Sequence, residues 1–197
     1  MNNNYISNMR NRYKDVTRLG LLMLAFLSIS GFSFSQFSVT TSPPLNGGNG
    51  SAGVSFNVTA NNAITITDFA NTFYGSGTGT YEIWYNTSAI SGAPSITTAN
   101  GWTQLATGTA TASGTGLTGN SPIALNSGVS LQMNAGETYG FFIFGSGVNT
   151  NYTTYNAANQ TTFTDANIEV FTGPNVSYGG SFPNPTFHPR QFNGTVY

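Results

Sequence analysis

Short runs in which apolar side chains alternate one by one with hydroxyl or amide side chains recur along residues 54–197, and no stretch there sustains a helical period. Strict alternation sends successive side chains to opposite faces of a strand, so a chain written this way folds into sheets. Val54, Phe56 and Val58 alternate with Ser55, Asn57 and Thr59. Ile64 and Ile66 alternate with Thr65 and Thr67 after an Asn61-Asn62 turn. Residues 80–86 read as a strong strand, and residues 102–111 as a Thr-rich one after Asn100-Gly101. Val129, Leu131 and Met133 alternate again, and Ala135-Gly136-Glu137 makes a turn. Residues 138–144 are the most apolar run, which predicts a central strand. Residues 152–155, 168–171 and 192–197 complete a set of about nine strands punctuated by Gly, Asn and Pro. The pattern predicts an all-β, two-sheet antiparallel sandwich of jelly-roll or Greek-key type. Its Thr, Ser and Asn faces are expected to meet solvent.

The sandwich is read as residues 54–197, preceded by a flexible leader over residues 37–53, where Pro43-Pro44 and Asn-Gly pairs signal turns and linkers. Residues 1–36 read as a signal peptide. Arg10, Arg12, Lys14 and Arg18 form a basic start, residues 19–32 are largely apolar, and Ser33-Phe34-Ser35 supplies small residues for a peptidase. The apolar stretch is shorter than the roughly 20 residues a spanning helix needs. Cleavage is expected after Ser35 or Gln36. The mature domain is then secreted or extracytoplasmic (periplasm, cell surface or extracellular), with no membrane insertion after cleavage.

Charge narrows the function. Beyond residue 36 the chain holds one cation, Arg190, against Asp68, Glu82, Glu137, Asp165 and Glu169, a net −4 with His188 neutral. One arginine cannot neutralise a run of phosphates, which excludes nucleic acid as a partner, nor can it make a polybasic membrane contact. With no cysteine, disulfides, thiolate metal sites and thiol catalysis are excluded. Disorder is not expected, because aromatics reach 14%.

Few residues are left to carry chemistry. His188, the only histidine, lies in a Pro-rich loop and is read as a loop residue beside Arg190, with no second histidine to complete a metal or catalytic set. Arg190 could hold an anionic ligand, but the favoured reading pairs it with Glu82, Asp68 or another carboxylate. A glycosidase needs two facing carboxylates, and nothing marks such a pair. No G-x-S-x-G occurs. The domain is therefore read as no enzyme. A structural calcium ion is the one cofactor left open, with oxygens from Asp165 and Asn167 or from Asp68.

Binding candidates come from the strand at residues 80–86. Alternation puts Tyr81, Ile83 and Tyr85 on one face and Glu82 and Trp84 on the other. If the first face is core, Trp84 stands on the solvent side beside a carboxylate, the combination a sugar platform uses. Tyr152 and Tyr155 join Trp84 and Glu82 as ligand-binding candidates, while Trp102 is read as a core plug. N-x-S/T triplets at Asn57, Asn86, Asn151, Asn175 and Asn193 matter only where the source glycosylates them.

Three segments resemble a family of bacterial, Bacteroidetes-type secreted jelly-roll modules found in multidomain surface proteins. They are Gly79-Thr-Tyr-Glu-Ile-Trp-Tyr, Ala135-Gly-Glu-Thr-Tyr-Gly-Phe and Pro189-Arg-Gln-Phe-Asn-Gly-Thr-Val-Tyr. The resemblance covers roughly residues 54–197. It implies a scaffold of uncharacterised or adhesive role and brings no catalytic residues. Such proteins often carry a separate C-terminal secretion or anchoring domain, which here is expected to be lacking or to belong to a longer parent. The expected function is a structural or adhesive module. The alternative is a carbohydrate-binding accessory module, and the remote one a glycoside-active enzyme. Expected partners are an extracellular glycan or a surface protein.

Overall fold

A computed structural model describes residues 37–41 and 45–197. The expected signal peptide lies outside the described residues, as does Pro43-Pro44. The described chain forms β1 (Val39–Thr40), β2 (Gly48–Ser51), β3 (Gly53–Ala60), β4 (Ile64–Ile66), β5 (Phe69–Asn71), β6 (Phe73–Tyr74), β7 (Thr78–Asn86) and β8 (Thr103–Thr111). It continues with β9 (Ile123–Ala124), β10 (Leu131–Met133), β11 (Thr138–Ser146), β12 (Asn149–Thr154), β13 (Thr162–Thr164), β14 (Ile168–Phe171), β15 (Gly179–Gly180), β16 (Arg190–Phe192) and β17 (Gly194–Val196). The one helical turn among the described residues is a short 3-10 segment, Thr98–Asn100. None is long and apolar enough to cross a membrane.

The fold is an all-β sandwich of antiparallel sheets. The large sheet runs β13-β14-β3-β11-β7-β8, with β15 added to β3. Against it lie β1-β17-β5-β9 and the group β16-β12-β2 with β6, and β4 pairs with β10. Strand β3 sits between β11 and β14, neither of which is its neighbour in sequence order, so the chain crosses over in the Greek-key manner. Strand β11 lies between β3 and β7, the central place its apolar run predicts.

The alternation read from the sequence sets which side chains meet between the layers. Phe56 of β3 stacks on Phe192 of β16, with ring centroids 4.0 Å apart. Phe141 of β11 meets Phe69 of β5 at 5.4 Å. Val54, Val58, Ile83, Ile143 and Val170 fill the same fully buried core.

Three expectations need correction. There are 17 strands among the described residues, more than the expected number, because short runs such as β5, β9 and β15 pair without a long alternating stretch to announce them. The layer facing the large sheet is divided into several small sheets rather than one. The segment expected to be a flexible leader is part of the fold over its described residues, 37–41 and 45–53. Val39 pairs with Val196, β2 lies along β12, and Val39 and Leu45 are buried in the core. The compact unit runs Phe37–Tyr197.

The polar side of β3 also departs from expectation. Ser55 and Asn57 do not face solvent; they are buried beneath two loops. Ser55 Oγ donates to the Val176 carbonyl at 2.7 Å and accepts from the Tyr178 amide at 2.9 Å. Asn57 Nδ2 donates to the Ile90 carbonyl, and its Oδ1 accepts the Ile90 amide at 2.9 Å. The polar residues of the alternation thus anchor a covering layer, which agrees with the rule that buried polar groups find partners.

Candidate functional site

Alternation along β7 places Tyr81 and Ile83 in the core, with Tyr85 packed against it and Trp84 on the opposite face. That opposite face is not open. Ile90, Ile96 and Trp102 arrive from one loop and Val176 and Phe182 from another, forming a second apolar cluster with Phe142. Trp84 is half-buried in it, 5.3 Å from the ring of Phe182. Its Nε1–H donates to Glu82 Oε2 at 2.7 Å. The indole face and the carboxylate expected to meet a sugar are therefore occupied by Phe182 and by each other. Trp102 is a plug, but of this outer cluster rather than of the main core.

The other two candidates do not join them. Tyr152 is only 1% exposed and belongs to the main core, so it offers no platform. Burial raises its phenol pKa, an effect that the neighbouring Arg190 partly offsets. Tyr155 is half-buried just beyond the end of β12, whose sheet is not the sheet of Trp84. A shallow cleft of about 150 Å³ is lined by Asn86, Ser88, Ile90, Pro94 and Trp102. Ligand sites usually span about 300–1,000 Å³.

Four carboxylates hold separate local structures. Asp68 accepts from the Ser127 amide at 2.8 Å, from the Ser127 hydroxyl and from the Asn126 amide. Glu137 accepts from the Asn134 amide at 2.6 Å and from the Tyr139 hydroxyl. The Asn134 backbone N–H, followed by its side chain, holds the Glu137 carboxyl below its usual pKa. Asp165 Oδ1 closes a turn through the amides of Asn167 and Ile168. Glu82 is taken by Trp84. The oxygens of Asp68 and Asp165 considered for calcium thus serve different turns. Among the described residues no group of three or more His, Cys, Asp or Glu could hold a metal ion.

No protein-family model matches the chain, and no curated protein is similar to it.

Asp68 and Glu82, the two carboxylates named for Arg190, are held elsewhere, by Ser127 and Trp84. The Arg190 guanidinium instead lies over two rings, 5.8 Å from the centroid of Tyr152 and 5.9 Å from that of Phe187. His188 stacks on Tyr178 at 4.5 Å, and its Nε2 accepts the Asn175 amide. The neutral ring therefore carries its proton on Nδ1. Of the triplet asparagines named above, Asn57, Asn151 and Asn193 are buried and hydrogen-bonded, and Asn86 is half-buried against the Asn100 carbonyl; two further triplets begin at Asn49 and Asn159, both half-buried. Asn175 is exposed. Sequence reading missed Phe187, which is 49% exposed, because an isolated Phe in a Pro-rich loop has no pattern to place it.

The covering layer can be tested at Asn57. Asn57→Ala strips both partners from the Ile90 backbone, at about 1–3 kcal/mol for each buried group left unpaired. The loop over Trp102 is then expected to lift. Tryptophan emission should shift to the red and become more accessible to iodide. Unchanged emission would show that the loop is held by other contacts.

Proposed function

We propose that the chain is a non-catalytic, exported β-sandwich with a structural or adhesive role. The basic, apolar and small-residue order of residues 10–35 supports export. The shortage of reactive groups supports a non-catalytic role: one histidine, no cysteine, and four carboxylates each tied to a local hydrogen-bonding partner. The resemblance to secreted surface modules agrees with both.

The observation that carries the adhesive reading is strand β8. It is the edge of the large sheet, pairs only with β7, and is nine residues long. The opposite edge, β13, has three. Natural sheets guard long edges with charge, proline or a covering element. Thr103–Thr111 contains neither charge nor proline. A register shift opposite Ile83/Trp84 bends its start, yet residues 106–111 pair in regular register. Thr107, Thr109 and Thr111 are exposed along that run. An antiparallel pair of two such edges brings no like charges together, so a second copy of this chain is the fitting occupant.

The full chain is accordingly expected to self-associate with concentration in sedimentation equilibrium. Thr109→Lys should leave the fold intact and hold the protein monomeric, because like charges opposed across an edge pair repel. A wild type that stays monomeric at all concentrations, or a variant that associates equally well, would count against the edge. A carbohydrate-binding reading is favoured at Phe187 rather than at Trp84, because the Phe187 ring is half exposed while Trp84 lies against Phe182.

A further inference from the structure

We propose that Arg190 and Phe187 form a binding site for a carboxylated sugar, a hexuronate unit of an acidic glycan. Arg190 opens β16 opposite Thr154 of β12. Its guanidinium is flanked by the buried Tyr152 ring and by Phe187, both within the range of a cation–π contact. A guanidinium has five N–H donors. Here Nη1 donates to the adjacent Pro189 carbonyl at 2.9 Å. Nε is buried with no partner. It is the one group of this side chain that is both buried and unpartnered, and the guanidinium also lies against the Tyr152 hydroxyl, whose pKa it lowers.

A cation in a domain of net −4 would ordinarily find a carboxylate. Four of the five carboxylates, Asp68, Glu82, Glu137 and Asp165, have other partners, and the arginine lies beside the rings of Tyr152 and Phe187. The flanking rings restrict the guanidinium, and its donors not engaged by Pro189 or Tyr152 suit a planar carboxylate.

Phe187 supplies the second half. Its ring is 49% exposed, the more exposed of the two exposed large apolar side chains among the described residues, the other being Ile123 at 40%. An exposed ring beside a cation suits a ligand with an apolar face and a carboxylate on its rim. A hexuronate has both in one ring: axial C–H groups make a flat face, and the carboxylate projects from its edge. One sugar unit can therefore lie on Phe187 and reach the guanidinium whose centre is 5.9 Å from the aromatic centroid.

The frame is fixed before any ligand arrives. The Phe187 amide and carbonyl exchange hydrogen bonds with Gly179 at 2.9 and 2.8 Å, and the Arg190 amide donates to the Ser177 carbonyl. His188 between them is stacked on Tyr178. Binding to such a frame loses little conformational freedom.

The test is isothermal titration of the full chain with trigalacturonate, with the neutral trisaccharide of galactose and with triglutamate. Binding of the uronate alone is expected. Phe187→Ala and Arg190→Gln should each weaken it by about tenfold or more, and Arg190→Lys should restore it only in part, because lysine lacks the planar fork. No binding of trigalacturonate overturns the proposal. Equal binding of the neutral sugar removes the role of the arginine, and equal binding of triglutamate removes the role of the sugar ring. Should Arg190→Gln fail to fold, Phe187→Ala, a change at an exposed ring, decides the matter alone: unchanged affinity there sinks the site. Monomeric or associated behaviour at β8 has no bearing on these outcomes.

Discussion

A chain shortened to begin at residue 54 is expected to give no cooperative thermal transition, whereas one beginning at Phe37 unfolds like the full chain. The first cut removes β1 and β2. Val39 and Leu45 leave the core, where they are 5% and 3% exposed. Burial of a Val or Leu side chain is worth about 1.5–3 kcal/mol, so the two together account for about 3–6 kcal/mol. Whole domains of this size are stable by about 5–15 kcal/mol. The cut also removes Thr41, which is fully buried. Its hydroxyl donates to the Phe192 carbonyl at 2.6 Å and accepts the Gly194 amide at 3.0 Å. Without it the Gly194 amide is left unpaired next to the core. Circular dichroism across a thermal ramp reads the result directly. A cooperative transition at an unchanged midpoint would show that residues 37–53 are dispensable.

That segment also shows why parts of the fold were not legible in the sequence. Its Asn-Gly pairs read as linker because Gly and Asn populate turns. In the fold Gly50 lies within β2, where a Cβ would run into the ring of Tyr74. Close approach and free hinge leave the same mark on a sequence. The alternation of β3 and β7 was legible because it is local: Phe56 and Ile83 went where their spacing sent them. The fate of the opposite faces was not, because the residues that cover them come from far along the chain. Ser55 is anchored to residues 121 and 123 positions away, and Phe182 reaches Trp84 from a loop before the last strands. The Tyr, Glu and Trp of β7 were therefore assigned to the correct sides, but the open face expected at Trp84 is partly covered by Phe182. Arg190 was legible only as a choice between a salt bridge and an anion site. What the sequence does not show is that Asp68 and Glu82 are engaged by Ser127 and Trp84, a long-range fact for the first and a two-residue one for the second.

Phe56→Ala is expected to lower the free energy of unfolding by about 3–5 kcal/mol, while Phe187→Ala shifts it by no more than about 0.5 kcal/mol. Phe56 has no exposed surface. It lies parallel to Phe192 at 4.0 Å and 13°, stacks on Phe141 at 5.6 Å and meets Phe69 edge-on at 6.4 Å. Such pairs add about 0.5–1.5 kcal/mol beyond burial. The rings come from β3 and β11 of the large sheet and from β5 and β16 of the facing sheets, so this one side chain joins three sheets. The neighbours are themselves fully buried and cannot all collapse into the space, which places the loss toward the upper part of the range. Urea unfolding of the two variants, followed by circular dichroism with the slope held common, measures both. Equal midpoints would mean that the layers are not held together at Phe56. A large loss for Phe187→Ala would mean that its ring belongs to the fold and is not free to meet a ligand.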